Sequence, residues 1–211
     1  MLTEIIFVLD RSGSMHGLES DTIGGYNAFL DEQRSGEGDA LVTTVLFNDR
    51  MKVIHERVPI REVRGITKKE YTAAGSTALL DSVGETIRET ERMHELWPKT
   101  RPDHTVMVII TDGYENASRK YSRRDIQKTI ERKKEEGWEF IFLGANIDAK
   151  ETADDIGIGA ASSMNYHADK IGIETNFRAV GKIFTNLRST GVYAEEEALA
   201  EIDRDYRSRK R

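Results

Sequence analysis

Hydrophobic and polar positions follow one another along this chain in blocks that predict strands and helices in turn. Three continuous apolar runs, at residues 5–9, 105–110 and 140–143, predict strands buried on both faces. Runs at 41–47 and 51–58 meet at Asn48-Asp49 and predict a hairpin at an edge of the sheet. A last short strand is predicted at 162–166.

Helical periodicity separates these runs. Apolar residues spaced three or four apart, with charges between them, indicate helices at 20–34, 77–96, 122–136, 148–156 and 169–188. Strands that alternate with helices are typical of an α/β sheet covered on both faces. We therefore predict one domain over residues 1–190. A detachable charged tail over 191–211 follows, with three glutamates and then Arg207, Arg209, Lys210 and Arg211.

Polar side chains follow two of the buried strands at the point where each strand ends. Asp10, Ser12 and Ser14 come at alternate positions after the first strand, and Asp112 follows the second. Thr77 lies between them on a tight Gly-Ser-Thr loop that leads into a helix. Because ligands of open α/β sheets bind beyond the carboxyl ends of the strands, we expect all five side chains to converge.

All five residues are oxygen donors, and none is His or Cys, which suits a hard cation such as Mg²⁺ or Mn²⁺. The three hydroxyls neutralise no charge, so a metal held largely by them stays electrophilic. We expect it to keep a position open for a carboxylate from another molecule. The predicted metal ligands are Asp10, Ser12, Ser14, Thr77 and Asp112.

These motifs, taken together, resemble the metal-ion-dependent adhesion site of von Willebrand factor type A domains. The order and spacing are similar in Asp10-x-Ser12-x-Ser14, Thr77 and Thr111-Asp112-Gly113. The flanking stretches FVLDRSGSM, GSTALLDSV and VIITDG are similar as well, and the likeness covers residues 3–188. It is greatest to small single-domain members from bacteria and phages, in which the site is intact and stretches like FIFLGANIDA occur.

The resemblance implies a fold and a function. The fold is a doubly wound, Rossmann-like, mostly parallel six-stranded sheet in the order 3-2-1-4-5-6, with one antiparallel edge strand and helices on both faces. The function is that of a metal-dependent protein-binding module, in which a protein partner donates an Asp or Glu side chain to the bound Mg²⁺. Both implications are expectations at this point.

Composition narrows the classes of protein further. The 211 residues include no Cys, which excludes a Cys-ligated zinc site, an iron–sulfur cluster and cysteine catalysis. The formal net charge of −6 argues against a nucleic-acid partner, because such partners favour basic proteins. No apolar stretch approaches the ~18 residues of a membrane span, and the first residues lack a secretory signal pattern, so we predict a cytoplasmic protein without a membrane partner.

Two other functions use the same metal and stay open. A hydrolase needs a nucleophile and a general base beside the ion, and no His is convincingly placed for that role, so we expect no enzyme. A structural or assembly subunit needs the ion only to stabilise a loop. His16 could line the site but suits a solvated loop better; Glu115 and Asn116 fit a rim or a cap equally, and Asp148 fits a helix cap.

Overall fold

Six strands form one sheet in the computed structural model, which describes residues 1–209. The strand order is β3-β2-β1-β4-β5-β6, and each neighbouring pair is parallel except the antiparallel pair β2 and β3. The strands are β1 (Leu2–Asp10), β2 (Asp39–Phe47), β3 (Met51–Pro59), β4 (His104–Thr111), β5 (Trp138–Gly144) and β6 (Ser163–Asn165). The predicted fold class and strand order are thus confirmed.

Helices cover both faces of this sheet because the central strands are apolar on both sides. The helices are α1 (Glu19–Ser35), α2 (Leu79–Leu96), α3 (Arg123–Glu135), α4 (Ala149–Asp154), α5 (Lys170–Thr190) and α6 (Glu196–Ser208). Along β1, Ile5 and Phe7 pack in one core with α1, α5 and α6. Ile6 and Val8 pack in a second core with α2, α3 and α4.

Helix starts agree with the local sequence. Ser122 caps α3 in a reciprocal capping box with Asp125, and Asp148 caps α4 by accepting from two backbone amides. The predicted helix 77–96 begins at Leu79, so Thr77 lies in the loop before it. That loop end lies beyond the carboxyl edge of the sheet, where Asp10 and Asp112 also lie.

The predicted charged tail differs from the structure in one respect. Residues 196–208 form α6, whose Ala198, Leu199 and Ile202 are buried in the core shared with α1 and α5. The expectation of a detachable tail missed this short amphipathic stripe because charged residues surround it. Arg207 belongs to this helix and Arg209 directly follows it. Lys210 and Arg211 lie outside the described residues.

None of the helices within residues 1–209 has the length and apolar character required to cross a bilayer.

Candidate metal centre

The carboxylate of Asp10 lies at the end of β1, only 1% exposed. Its Oδ1 accepts a hydrogen bond from the Ser12 amide at 2.6 Å, a local turn that folds the chain back over the strand. Its Oδ2 accepts from the Thr111 hydroxyl on the neighbouring β4, also at 2.6 Å. Strands β1 and β4 are adjacent at the point where the strand order reverses, so their ends meet there.

Three hydroxyls gather around a gap above Gly113. A Cβ built on this glycine would lie 3.0 Å from Ser14 Oγ, 3.2 Å from Thr77 Oγ1 and 3.8 Å from Ser12 Oγ. The Ser12 and Ser14 hydroxyls are 3.0 Å apart, and the Ser14 hydroxyl donates to Asp112 Oδ1 at 2.6 Å. The structure therefore brings together the five side chains predicted from sequence.

The loop that carries Thr77 is held from both sides. Gly75 adopts a left-handed conformation (φ +80°), and its carbonyl accepts from the Gly13 amide at 2.9 Å. On the other side, the Thr77 amide donates to Asn116 Oδ1 at 2.9 Å, and the Thr77 carbonyl accepts from the Asn116 amide at 3.0 Å. These bonds fix the threonine hydroxyl beside the gap.

The two carboxylates of the site are bonded by neutral groups of the described chain. None of the Lys, Arg and His side chains within residues 1–209 forms an ion pair with Asp10 or Asp112, and the partners of both are neutral donors. Burial is the largest cause that raises the pKa of each carboxyl, and for Asp112 the negative charge of Asp10 adds to it, giving a pKa of about 6. A cation in the gap would remove both penalties.

The donor set fits a hard divalent ion. Asp112 Oδ2 is buried and has no hydrogen-bond partner in the part of the chain that the structure describes. The three atoms nearest to a Cβ built on Gly113 are all neutral hydroxyl oxygens, which are ligands that suit Mg²⁺. Within residues 1–209, no three His, Cys, Asp or Glu side chains lie close enough together to hold an ion by themselves. This site has only two carboxylates, and hydroxyls complete its donor set.

The structure assigns a role to each of the other polar residues that the sequence left open. The His16 side chain is 85% exposed and pairs with Glu19, which makes it a surface residue. Glu115 acts as a cap, because it accepts from the Leu80 amide at the start of α2 and from backbone amides of its own loop. Asn116 holds the Thr77 loop, and Asp148 caps α4.

Sequence reasoning missed three residues that contact this site from below. The Thr111 hydroxyl binds Asp10, and its position inside the Thr111-Asp112-Gly113 motif was the available signal. The Tyr71 hydroxyl donates to the Asp10 carbonyl, and the Tyr166 hydroxyl donates to the Thr111 carbonyl at 3.3 Å. Both tyrosines are more than fifty residues from their acceptors in sequence, and nothing local indicates these contacts.

The fold and the site together define a doubly wound α/β domain with a polar, cation-deficient site at the switch point of its sheet. The family model described as the von Willebrand factor type A domain matches residues 4–186, most of the chain. The chain therefore belongs to the von Willebrand factor type A family. Domains of this family commonly bind a divalent metal and mediate protein–protein interactions.

Solved structures show the same fold at low sequence identity. Proximal thread matrix protein 1 from the mussel byssus, in a structure titled as having a zinc-occupied MIDAS motif, is 18% identical with a TM-score of 0.60; the alignment covers 87% of this chain and 46% of that one. The PilB minor pilin from Streptococcus sanguinis is 12% identical with a TM-score of 0.61, over 89% and 62% of the two chains.

A von Willebrand factor type A protein from Catenulispora acidiphila gives a TM-score of 0.57 at 13% identity, over 87% of this chain and 43% of that one. This chain thus spans between two fifths and two thirds of the length of these three proteins. The sequence matches no curated protein.

Proposed function

We propose that this chain is a metal-dependent protein-binding domain. The ion is Mg²⁺ or Mn²⁺, and its ligands are the side chains named from sequence: Asp10, Ser12, Ser14, Thr77 and Asp112. The partner is a protein that offers an Asp or Glu side chain to the ion.

One observation carries the proposal: within residues 1–209, two buried carboxylates have only neutral partners beside a gap that three hydroxyls surround. A buried anion without a cation is costly, and proteins ordinarily pair it or bind a metal with it. Asp112 keeps one oxygen free of hydrogen bonds among the described residues, although it is only 2% exposed. These features suit a site that binds a cation.

The five predicted ligands divide into two roles. Asp10 and Asp112 supply negative charge, and Ser12, Ser14 and Thr77 supply neutral oxygens. When bound, a divalent ion supplies positive charge and a position for an outside carboxylate. Because the three hydroxyls neutralise none of the ion's charge, an ion held largely by them stays electrophilic toward a carboxylate from another molecule.

The first experiment measures metal binding directly. Titration of the metal-free protein with Mn²⁺, followed by electron paramagnetic resonance, should show one tight site that Mg²⁺ displaces. Asp112→Ala should remove it, whereas Asp148→Ala, which changes a helix cap after the next strand, should leave it intact. A wild-type protein without a saturable site would contradict the proposal.

The second experiment tests the acidic partner. Proteins captured from the source cells in Mg²⁺ should dissociate in EDTA and should not be captured by Asp112→Ala. Replacing the exposed Asp and Glu residues of a captured protein one by one should then identify a single carboxylate on which binding depends. Capture that is indifferent to EDTA, or that survives every such replacement, would contradict this part of the proposal.

The same proposal holds that the domain is not an enzyme, and turnover measurements test this. Phosphatase, nuclease and peptidase substrates should show no turnover with Mg²⁺ or Mn²⁺. Turnover that disappears in Asp112→Ala would favour the hydrolase, and metal binding without any acidic partner would favour the structural subunit. The cytoplasmic location, the bacterial or phage origin and the absence of a nucleic-acid partner stay predictions.

A further inference from the structure

Two buried tyrosines contact the strand ends that carry the predicted metal ligands. The Tyr71 hydroxyl donates to the carbonyl oxygen of Asp10, the last residue of β1. The Tyr166 hydroxyl donates to the carbonyl oxygen of Thr111, the last residue of β4, at 3.3 Å. Two adjacent strands therefore end against a tyrosine hydroxyl in the same way.

These hydroxyls are buried where a polar group is costly unless it is bonded. Tyr71 is 1% exposed and Tyr166 is 2% exposed, and both rings pack in the core shared with α1 and α5. Burial and the nearby charges of Asp10 and Asp112 raise the pKa of both tyrosines, so the hydroxyls stay protonated and remain donors.

Each tyrosine also joins its strand end to a different part of the molecule. Tyr71 belongs to the connection that carries Thr77, and the Ala74 amide of that connection donates to the Arg11 carbonyl at 2.9 Å. Tyr166 directly follows β6 and precedes Asp169, the cap of α5. The main chain at Asp10 and Thr111 is thus fixed by contacts from outside its own strands.

Orientation of the main chain at these two residues decides where the ligand side chains point. The Asp10 carboxylate leaves from the residue whose carbonyl Tyr71 holds. The Asp112 carboxylate leaves from the residue that follows the carbonyl held by Tyr166. We propose that Tyr71 and Tyr166 are positioning residues of the metal centre, which hold the ends of β1 and β4 so that both carboxylates face the gap above Gly113.

This inference rests on the proposed function, since it requires that the gap takes a cation. It assigns the metal affinity of the domain in part to two hydroxyls that contact no metal. The groups around a metal ligand commonly affect affinity in this indirect way. The contact of Tyr166 is long for a hydroxyl donor, so its contribution is expected to be the smaller of the two.

Tyr→Phe substitutions test the inference because they remove the hydroxyl and retain the ring. Tyr26→Phe is the matched control: Tyr26 is equally buried in the same core, but its hydroxyl bonds the Thr44 hydroxyl on β2, remote from the strand ends. The Mn²⁺ dissociation constant and the thermal midpoint of the metal-free protein are measured for all three variants.

We expect Tyr71→Phe to weaken Mn²⁺ binding about 10-fold and Tyr166→Phe about 3-fold, as for the loss of one buried hydrogen bond. Tyr26→Phe should lower the thermal midpoint by a similar amount yet leave the dissociation constant unchanged. The bound Mn²⁺ spectrum should broaden in the first two variants and keep its wild-type shape in the third. Circular dichroism of each variant establishes that it is folded.

Three outcomes would overturn the inference and one would overturn its premise. Wild-type affinity in both Tyr71→Phe and Tyr166→Phe, or equal losses in all three variants, would leave the tyrosines with a structural role only. Failure of both site variants to fold would do the same. Absence of a Mn²⁺ site in the wild-type protein would instead remove the proposed function.

Discussion

Strand β1 has a buried carboxylate near each of its ends, and the two carboxylates have different kinds of partner. Glu4 and Asp10 are six residues apart, so strand alternation places them on one face of the sheet about 20 Å apart. Glu4 is 0% exposed and Asp10 is 1% exposed. At the Glu4 end the protein supplies an arginine, and at the Asp10 end the described chain supplies only neutral donors.

The Glu4 end is bonded by two side chains from different elements, and Arg57 supplies the positive charge. Arg57 on β3 donates to Glu4 Oε2 at 2.7 Å, and His94 on α2 contacts the same oxygen. Arg57 has a positive φ of 49° at an irregular register of β3 with β2. A bulge of this kind redirects a side chain, here under the sheet edge toward Glu4.

The Asp10 end has the opposite charge balance. Each of the two carboxylates, Asp10 and Asp112, accepts from its own neutral donors, and no cation of the described chain pairs with either. Unsatisfied atoms do not distinguish the two ends, because Glu4 Oε1 and Asp112 Oδ2 are both buried without a hydrogen bond from any part of residues 1–209. The charge balance distinguishes them. Glu4 is paired with a cation of the protein itself, whereas the Asp10 end is suited to a cation from outside.

The largest expected effect is a loss of stability when the ion pair between Glu4 and Arg57 is broken. Glu4→Gln leaves the buried Arg57 without its anion and should lower the free energy of unfolding by about 3 kcal/mol. Urea denaturation measures this loss. Because the change is remote from the metal site, the loss should be equal in Mg²⁺ and in EDTA, and a loss confined to one of these conditions would link the two ends.

The next largest effect is the gain in stability when a cation binds at the Asp10 end. Mg²⁺ at 100 times its dissociation constant should raise the free energy of unfolding by about 2.7 kcal/mol if it binds only the folded state. Asp112→Asn should abolish this increase and, in EDTA, be at least as stable as the wild type, because one of two unpaired buried charges is gone. A clear loss of metal-free stability in Asp112→Asn would show that this carboxylate also stabilises the fold.

A smaller effect comes from filling the gap itself. Gly113→Ala places a methyl group 3.0 Å from Ser14 Oγ and 3.2 Å from Thr77 Oγ1, and should weaken Mn²⁺ binding about 10-fold or more. Gly24→Ala is the control, since a Cβ there meets nothing within 4 Å on the surface of α1. Mn²⁺ titration compares them, and equal affinities would place the ion elsewhere.

The smallest effect concerns the residue that the sequence left as a rim candidate. His16→Ala should change the Mn²⁺ dissociation constant by less than about twofold, because an exposed pair such as His16 with Glu19 contributes little. The same titration measures it. A change as large as that of Gly113→Ala would return His16 to the metal site and reduce the contrast between the two ends.

Local pattern determined most of the fold. Apolar runs and their turn residues specify β1, β4, β5 and the β2–β3 hairpin, because a continuous apolar run bounded by turn residues is typical of a strand buried on both faces. The strand order came from the resemblance of the motifs to a family. The helix over 196–208 was missed because its stripe has only three buried apolar residues among many charges, and only packing on α5 distinguishes it from a solvated tail.

The sequence by itself also predicted the candidate donors of the site, because Asp10, Ser12 and Ser14 follow one buried strand and Asp112 follows another. Only the tertiary structure decided what holds them and which carboxylate is neutralised. Arg57 and His94 reach Glu4, and Tyr71 and Tyr166 reach the strand ends, across 50 to 90 residues of chain. Such contacts depend on the mutual placement of whole elements, and no local pattern encodes them.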